Sequence, residues 1–242
     1  CSNDGTVGVI ERFIADEGAA GERVTVIHHE RNQGVGRAIT TGYLEALRLE
    51  VEVIAVMAGD GQMPPEELEL IIDPVVTDQA DYAKANRLFY RDAWKTIPKH
   101  RFVGNGFLSM LTKIASGYWH SADSQTGWTA ISREALGMLD LNGVYARYGY
   151  PNDMLVRLNV WDMRVVDVPV APTYNVGERS KMKIWKVVPT MSWLIFKRFL
   201  WRMLHKYVIR DFHPLVMFYA AGAAASATAT RRSRPFTTCI PA

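Results

Sequence analysis

The sequence of 242 residues holds two cysteines, Cys1 and Cys239, at opposite ends. That excludes a disulfide framework and any zinc motif built on paired cysteines, and it points to a reducing compartment. A long apolar run is missing as well. The uncharged stretch from Pro214 to Thr230 is 17 residues, mostly Ala and Thr, against about 20 for a membrane-spanning helix. Acidic residues are absent between 179 and 210, where nine of the 28 Lys and Arg lie, so the rest carries 19 basic against 25 acidic residues. Such a basic end suits an anionic partner, with membrane surface and nucleic acid as the two classes to weigh. His28, His29, His100 and His120 have no triad or ligand spacing and are assigned no chemistry. The opening, "CSNDGT", is polar turn sequence with neither a Met nor a signal peptide ahead of it, and the chain is expected to be a fragment.

What is present is an ordinary globular composition, 48% hydrophobic and 22% charged. β-Branched runs at 23–29, 51–57, 81–86, 127–132 and 164–170 read as strands. Helical patterns at 36–50, 65–72, 101–117, from Arg133, and near 152–161 lie between them. The alternation predicts an α/β domain whose mostly parallel sheet is flanked by helices. A segment of different kind, 184–210, reads as helix interrupted at Pro189, and the domain boundary is placed near 178. Within that segment Trp193, Phe196, Leu200, Met203 and Tyr207 fall on one side, and Arg198, Arg202, Lys206 and Arg210 on the other. This is the pattern of a helix lying in a membrane interface, drawn there by anionic lipid, with docking on the protein's own body as the alternative. Nucleic acid is the weaker partner, since no reader motif accompanies the charge.

Four stretches could carry chemistry. "VIAVMAGDGQMPPEEL" (53–68) ends an apolar strand on Asp60, between two glycines, with Gln62 two residues on. An Asp-x-Gln pair offers two hard oxygens to Mg2+ or Mn2+, ions that keep water and take substrate phosphates to complete their shell. A solvated turn before a helix explains the same residues, and both readings stay open. "NQGVGRAI" (32–39) sets Asn32, Gly34 and Arg37 at a helix start, where a nucleotide or phosphate can be received, although the dinucleotide fingerprint fails at Ile39. "SADSQTGWTAIS" (121–132) places Asp123 and Gln125 before an aromatic strand, and alone it reads as a polar loop. "NVGERSKMK" (175–183) gathers Arg179, Ser180, Lys181 and Lys183 in a cluster suited to an anionic ligand.

Taken in order, these pieces resemble a family-2-type inverting glycosyltransferase of GT-A fold, and more closely the polyprenol-phosphate sugar transferases related to dolichol-phosphate mannose synthase. "SNDGT" (2–6) is similar to the end of that family's nucleotide-holding loop, whose earlier Asp residues and preceding strand are missing here. "NQGVGRAITTGY" is similar to the next segment, "MAGDGQMPPEEL" to its metal motif, and "KANRL" to its strand ending in Arg. "DSQTGWTAISREAL" resembles the acceptor segment and "GERSKMK" the late Arg-Ser-Lys motif. One departure is plain: Ala58 stands where the family's first metal-binding Asp belongs.

The resemblance implies a catalytic domain over 1–178 followed by basic amphipathic juxtamembrane helices over 179–219; there the family continues into membrane-spanning helices, but the residues of 220–242 are read as a tail expected to be poorly ordered. It implies transfer of a sugar from a nucleotide-diphosphate donor, UDP or GDP, to a polyprenyl phosphate at the cytoplasmic face of a membrane. Asp60 and Gln62 would hold the Mg2+ or Mn2+ ion. Asp4, Asn32, Gly34, Arg37, Arg179, Ser180 and Lys181 would bind the donor, and Arg87, Arg101 and Gln125 the acceptor phosphate. Asp123 would act as base or acceptor positioner. A transferase to a polysaccharide or soluble acceptor, and a noncatalytic nucleotide-sugar binding or anchoring module, are the alternatives.

Overall fold

The computed structural model describes residues 5–89, 99–171 and 184–232. It opens with helix α1 (Thr6–Asp16), a 3-10 turn at Gly21–Arg23, and an extended segment, 24–29, where the sequence pattern predicts a strand. That segment joins no ladder, and most of its side chains are exposed. Then come α2 (Val35–Arg48), β1 (Val53–Val56), a 3-10 turn at Pro65–Glu67 leading into α3 (Leu68–Val76), and β2 (Tyr82–Asn86). The second half comprises α4 (Lys99–Ser116), β3 (Thr129–Ser132), α5 (Arg133–Gly137), α6 (Tyr150–Val160) and β4 (Val165–Pro169), followed by α7 (Ile184–Leu204), a π-helical turn at His205–Arg210, and α8 (Leu215–Arg232).

The four strands lie in the order β1-β3-β2-β4. β2 and β4 are parallel, while β3 runs antiparallel to both β1 and β2. So β1, β2 and β4 point one way, as the alternation with helices predicts, but the inserted β3 makes the sheet mixed. β3 escapes the expectation because its antiparallel direction is set by tertiary pairing and leaves no local mark in "TAIS".

Strand alternation sorts the side chains to two faces. Ile54, Tyr82, Ile131 and Val165 join Tyr43 of α2, Leu136 of α5, and Leu155 and Leu158 of α6 in one core; Ala83, Ala85, Ala130 and Val168 pack with Ile71 and Val75 of α3 in the other. A third cluster joins α4, α6 and α7 through Leu108, Ala115, Val156, Met191, Leu194 and Ile195. α7 continues through Pro189, which lies in its second turn and forgoes one backbone hydrogen bond there without ending the helix.

Of the tail at 220–242, residues 220–232 continue α8, whose described side chains are mostly exposed, and 233–242 lie outside the described residues. One expectation about the C-terminal part is corrected. The basic stripe faces the body of the protein, not solvent. Arg198 pairs with Asp153 of α6, and Arg202 is buried, donating to the Ile114 carbonyl. Lys206 donates to the Asn159 carbonyl and pairs with Asp162, and Arg210 bonds the Val160 carbonyl. The C-terminal end of α6 supplies those carbonyls, and a helix end of negative polarity draws cations. Trp193, Phe196, Leu200 and Leu204 of α7 are left facing solvent, with Phe212, Met217 and Phe218 beyond. Of the apolar stripe read from the sequence, Met203 is buried and Tyr207 is half-buried. Among the described residues no helix is long and apolar enough to cross a membrane.

Candidate active site

β2 ends on Asn86, and the turn that follows, Arg87–Phe89, puts the Arg87 guanidinium against the 121–126 loop. Arg87 Nε donates to Asp123 Oδ2 at 2.8 Å and its terminal nitrogen to Oδ1 at 3.2 Å, while the Gln125 amide donates to Oδ1 at 3.3 Å. Asp123 is 2% exposed. Burial by itself raises the pKa of its carboxyl, but the Arg87 charge and hydrogen bonds, with Lys84 nearby, outweigh that and hold it below the ordinary carboxylate range. Of the two roles expected for Asp123, a carboxylate so held is a weak proton acceptor and a strong anchor for Arg87.

The loop is pinned from three sides. Gln125 Nε2 donates to Asn152 Oδ1 of α6 at 3.0 Å, an oxygen that also accepts from Thr112 of α4 at 2.8 Å, and Ser124 meets Ser109 at 3.1 Å. Beneath lies a charged pair that the sequence reading missed. Lys84, 2% exposed, forms an ion pair with Asp167 at 2.9 Å and donates to the Asp123 carbonyl at 2.7 Å. Burial pulls the Lys84 pKa down, opposed by the Asp167 and Asp123 charges. The signal was available: a lysine inside "YAKAN" and an aspartate inside "VVDVP" each occupy a strand position that must be buried, and each therefore requires a partner.

Asp60 and Gln62 sit apart from this constellation in sequence, on the turn after β1. Asp60 is exposed, Gln62 half-buried, and the Gln62 amide donates to Asp60 Oδ1 at 3.1 Å. Gly61 takes φ +74° to make the turn. Among the described residues no group of three His, Cys, Asp or Glu is gathered for an ion. Ala58 contributes no ligand, so the residues present fit only a cation whose shell is completed by water and a substrate diphosphate.

Asn32 and Gly34 border an open hollow of about 470 Å³ lined also by Thr25, His29 and Thr41. The Asn32 side chain accepts from the Gly34 amide at 2.9 Å. Gly34 has φ +96°, and a Cβ on it would collide with the Ala146 carbonyl; one on Gly36 would strike the Tyr145 carbonyl. The Gly-x-Gly pattern is thus required by this chain's own 145–146 loop, which also accepts from the Arg37 amide at 3.3 Å. That loop is held in turn by Asp153, fully buried, which accepts from the Tyr145 amide at 2.7 Å, and by Arg157 and Arg198, which both donate to the Gly143 carbonyl. Asp4, Arg179, Ser180 and Lys181 lie outside the described residues; Arg101 falls in α4, its side chain outside them.

The mixed α/β sheet, with its candidate side chains on loops beyond the strands, matches solved glycosyltransferase structures and is GT-A-like, and the glycosyl transferase family 2 signature matches residues 1–139. The chain belongs to that family. It is 31% identical over 153 residues to UDP-N-acetylglucosamine–dolichyl-phosphate N-acetylglucosaminyltransferase of Methanococcus voltae, covering 63% of this chain and 61% of the relative. Polyprenol monophosphomannose synthase of Mycolicibacterium smegmatis is 30% identical over 183 residues, 75% of this chain and 67% of that one. Glucosyl-3-phosphoglycerate synthase from Mycobacterium tuberculosis, solved with Mn2+, uridine diphosphate and glucosyl-3-phosphoglycerate, matches the fold with a TM-score of 0.52 at 19% identity, over 84% of this chain and 66% of that one. This chain thus spans less than two thirds of the Methanococcus relative's length.

Proposed function

We propose that the protein is an inverting glycosyltransferase that moves a sugar from a nucleotide-diphosphate donor to a polyprenyl phosphate at a membrane surface. The observation that carries the reading is the Arg87–Asp123 pair: a guanidinium about one quarter exposed, fixed by a buried carboxylate at the loop end of the sheet. Ligands of open α/β sheets collect at such loop ends. The two curated relatives are named for dolichyl- and polyprenol-phosphate chemistry, which agrees with a phosphate as the acceptor.

In this reading an acceptor phosphate oxygen attacks the anomeric carbon, the bond from that carbon to the donor diphosphate breaks, and the nucleotide diphosphate leaves with the electron pair. A phosphate with its second pKa near 6 is already largely anionic at pH 7, so no strong general base is needed. The requirement is a cationic seat, and Arg87, held in orientation by Asp123, supplies it. Asp60 and Gln62 are the residues that would hold a divalent ion, which when bound supplies electrostatic neutralisation of the leaving diphosphate. Asn32 and Gly34, at the hollow before α2, would take part in donor binding, and Arg37, Asp4, Arg179, Ser180 and Lys181 are assigned to the donor by the family resemblance alone. Trp193, Phe196, Leu200 and Leu204 present an apolar face to the bilayer interface.

The test is to incubate the chain with Mn2+ or Mg2+, a panel of radiolabelled UDP- and GDP-sugars, and either undecaprenyl phosphate in vesicles or soluble phosphorylated acceptors such as 3-phosphoglycerate. Label passing into the organic phase supports the proposal. Label confined to a soluble product assigns the alternative acceptor class, and donor binding without turnover assigns a binding module.

A further inference from the structure

Lys84 and Asp167 face one another in the parallel β2/β4 register. Their charged heads grip two consecutive residues of the loop above: Asp167 Oδ2 accepts from the Ala122 amide at 2.8 Å, and Lys84 Nζ donates to the Asp123 carbonyl at 2.7 Å. Asp167 Oδ2 also accepts from Asn86 Nδ2 at 2.9 Å, and Asn86 Oδ1 accepts from the Leu88 amide at 3.0 Å. The same pair therefore ties down both walls of the constellation, the backbone that carries Asp123 and the turn that carries Arg87.

Stability alone does not account for an ion pair at this depth. Apolar residues of similar volume fill such a place as well or better, because two charges lose their hydration on burial. What the pair does that apolar residues cannot is hold an amide and a carbonyl of an irregular loop at fixed points. We infer that Lys84 and Asp167 are positioning residues: they set the Ala122–Asp123 backbone, and through Asp123 the orientation of the Arg87 guanidinium. Their catalytic role rests on the transferase reading above; their hold on the loop does not.

The experiment uses the whole chain with the double substitution Lys84→Met/Asp167→Leu and follows deuterium exchange and transfer kinetics. The Ala122 amide is expected to exchange at least about tenfold faster while Ala130 and Ile131 of β3 keep their protection. The catalytic constant for transfer falls on the order of 100-fold, with the donor KM unchanged. Unchanged exchange at Ala122, or turnover within about twofold of the parent despite faster exchange, overturns the proposal. If β3 also loses protection, the near-isosteric Asp167→Asn decides: a raised acceptor KM at unchanged donor KM supports it, and an unchanged acceptor KM overturns it. If the parent transfers no sugar at all while Ala122 still loses protection in the double variant, the hold on the loop stands and the transferase reading alone fails.

Discussion

Arg198 of α7 places Nε 2.6 Å from Oδ1 of Asp153 in α6, a carboxylate with no exposed surface, and its terminal nitrogen reaches the Gly143 carbonyl at 3.0 Å. One side chain thus joins the helix bearing the exposed apolar face to the loop that rests on Gly34 and Gly36. Asp153 also pairs with Arg157, and both guanidiniums lie over the Trp201 ring.

Removing the shared carboxylate takes a fully buried counter-charge from both cations, leaving Arg157 only the exposed Asp140 carboxylate at 3.8 Å. Asp153→Ala is expected to cost about 3–5 kcal/mol of stability, measured by urea unfolding. Arg198→Met, which leaves the Asp153–Arg157 pair intact, should cost clearly less. Equal losses would mean that Arg157 alone does not satisfy the Asp153 carboxylate and that both cations are required.

The orientation of α7 reverses the expectation for lipid binding. Since Arg198, Arg202, Lys206 and Arg210 are engaged with the body, the exposed Trp193, Phe196 and Leu200 should dominate. Each, about half exposed, would contribute roughly 1 kcal/mol on entering the interface, so each Ala substitution should weaken vesicle partitioning by roughly fivefold. Flotation with liposomes reads this out, and the factor should be the same for neutral and anionic vesicles.

Asp123 sets an acid limb. Its carboxyl titrates in the folded protein below its unfolded value of about 3.9, so its stabilisation is fully present above that value and is lost as pH falls through the folded pKa. The stability difference between parent and Asp123→Asn should therefore be largest near neutrality and shrink at roughly pH 4 and below. A difference that stays constant into acid would contradict the Arg87–Asp123 ion pair.

How much of this was legible follows from what is local. The hydrophobic periods of 36–50, 51–57 and 81–86 name their elements because each buries its own face. "RVTVIHH" has the composition of a strand, yet a strand also requires a neighbour, and the described residues provide none for 24–29. Asp123 and Gln125 stand out in the sequence; Asp123 meets Arg87, while Gln125 bonds Asp123 and Asn152. Asp153 and Arg157 lie in a helix that otherwise reads as ordinary, and only the fold reveals that Asp153 binds Arg198, 45 residues away. The 198–210 cations were seen as a stripe, but periodicity gives spacing around an axis and cannot say which side turns inward.

Asp60 is the residue expected to couple donor binding to a divalent ion. Asp60→Asn should weaken nucleoside-diphosphate binding by on the order of 10–100-fold in Mn2+ and leave binding in chelator unchanged, as read by calorimetry. The turn itself should persist, since an Asn oxygen can still accept from the Gln62 amide.

The acceptor seat is tested most directly by steady-state transfer to a polyprenyl phosphate with Arg87→Ala beside the parent chain. Loss of the guanidinium is expected to lower kcat/KM for the lipid phosphate by about 100-fold or more while the donor KM stays as it was. Transfer with an unchanged dependence on lipid phosphate would contradict the assignment of Arg87, and with it the phosphate seat on which the proposed reaction depends.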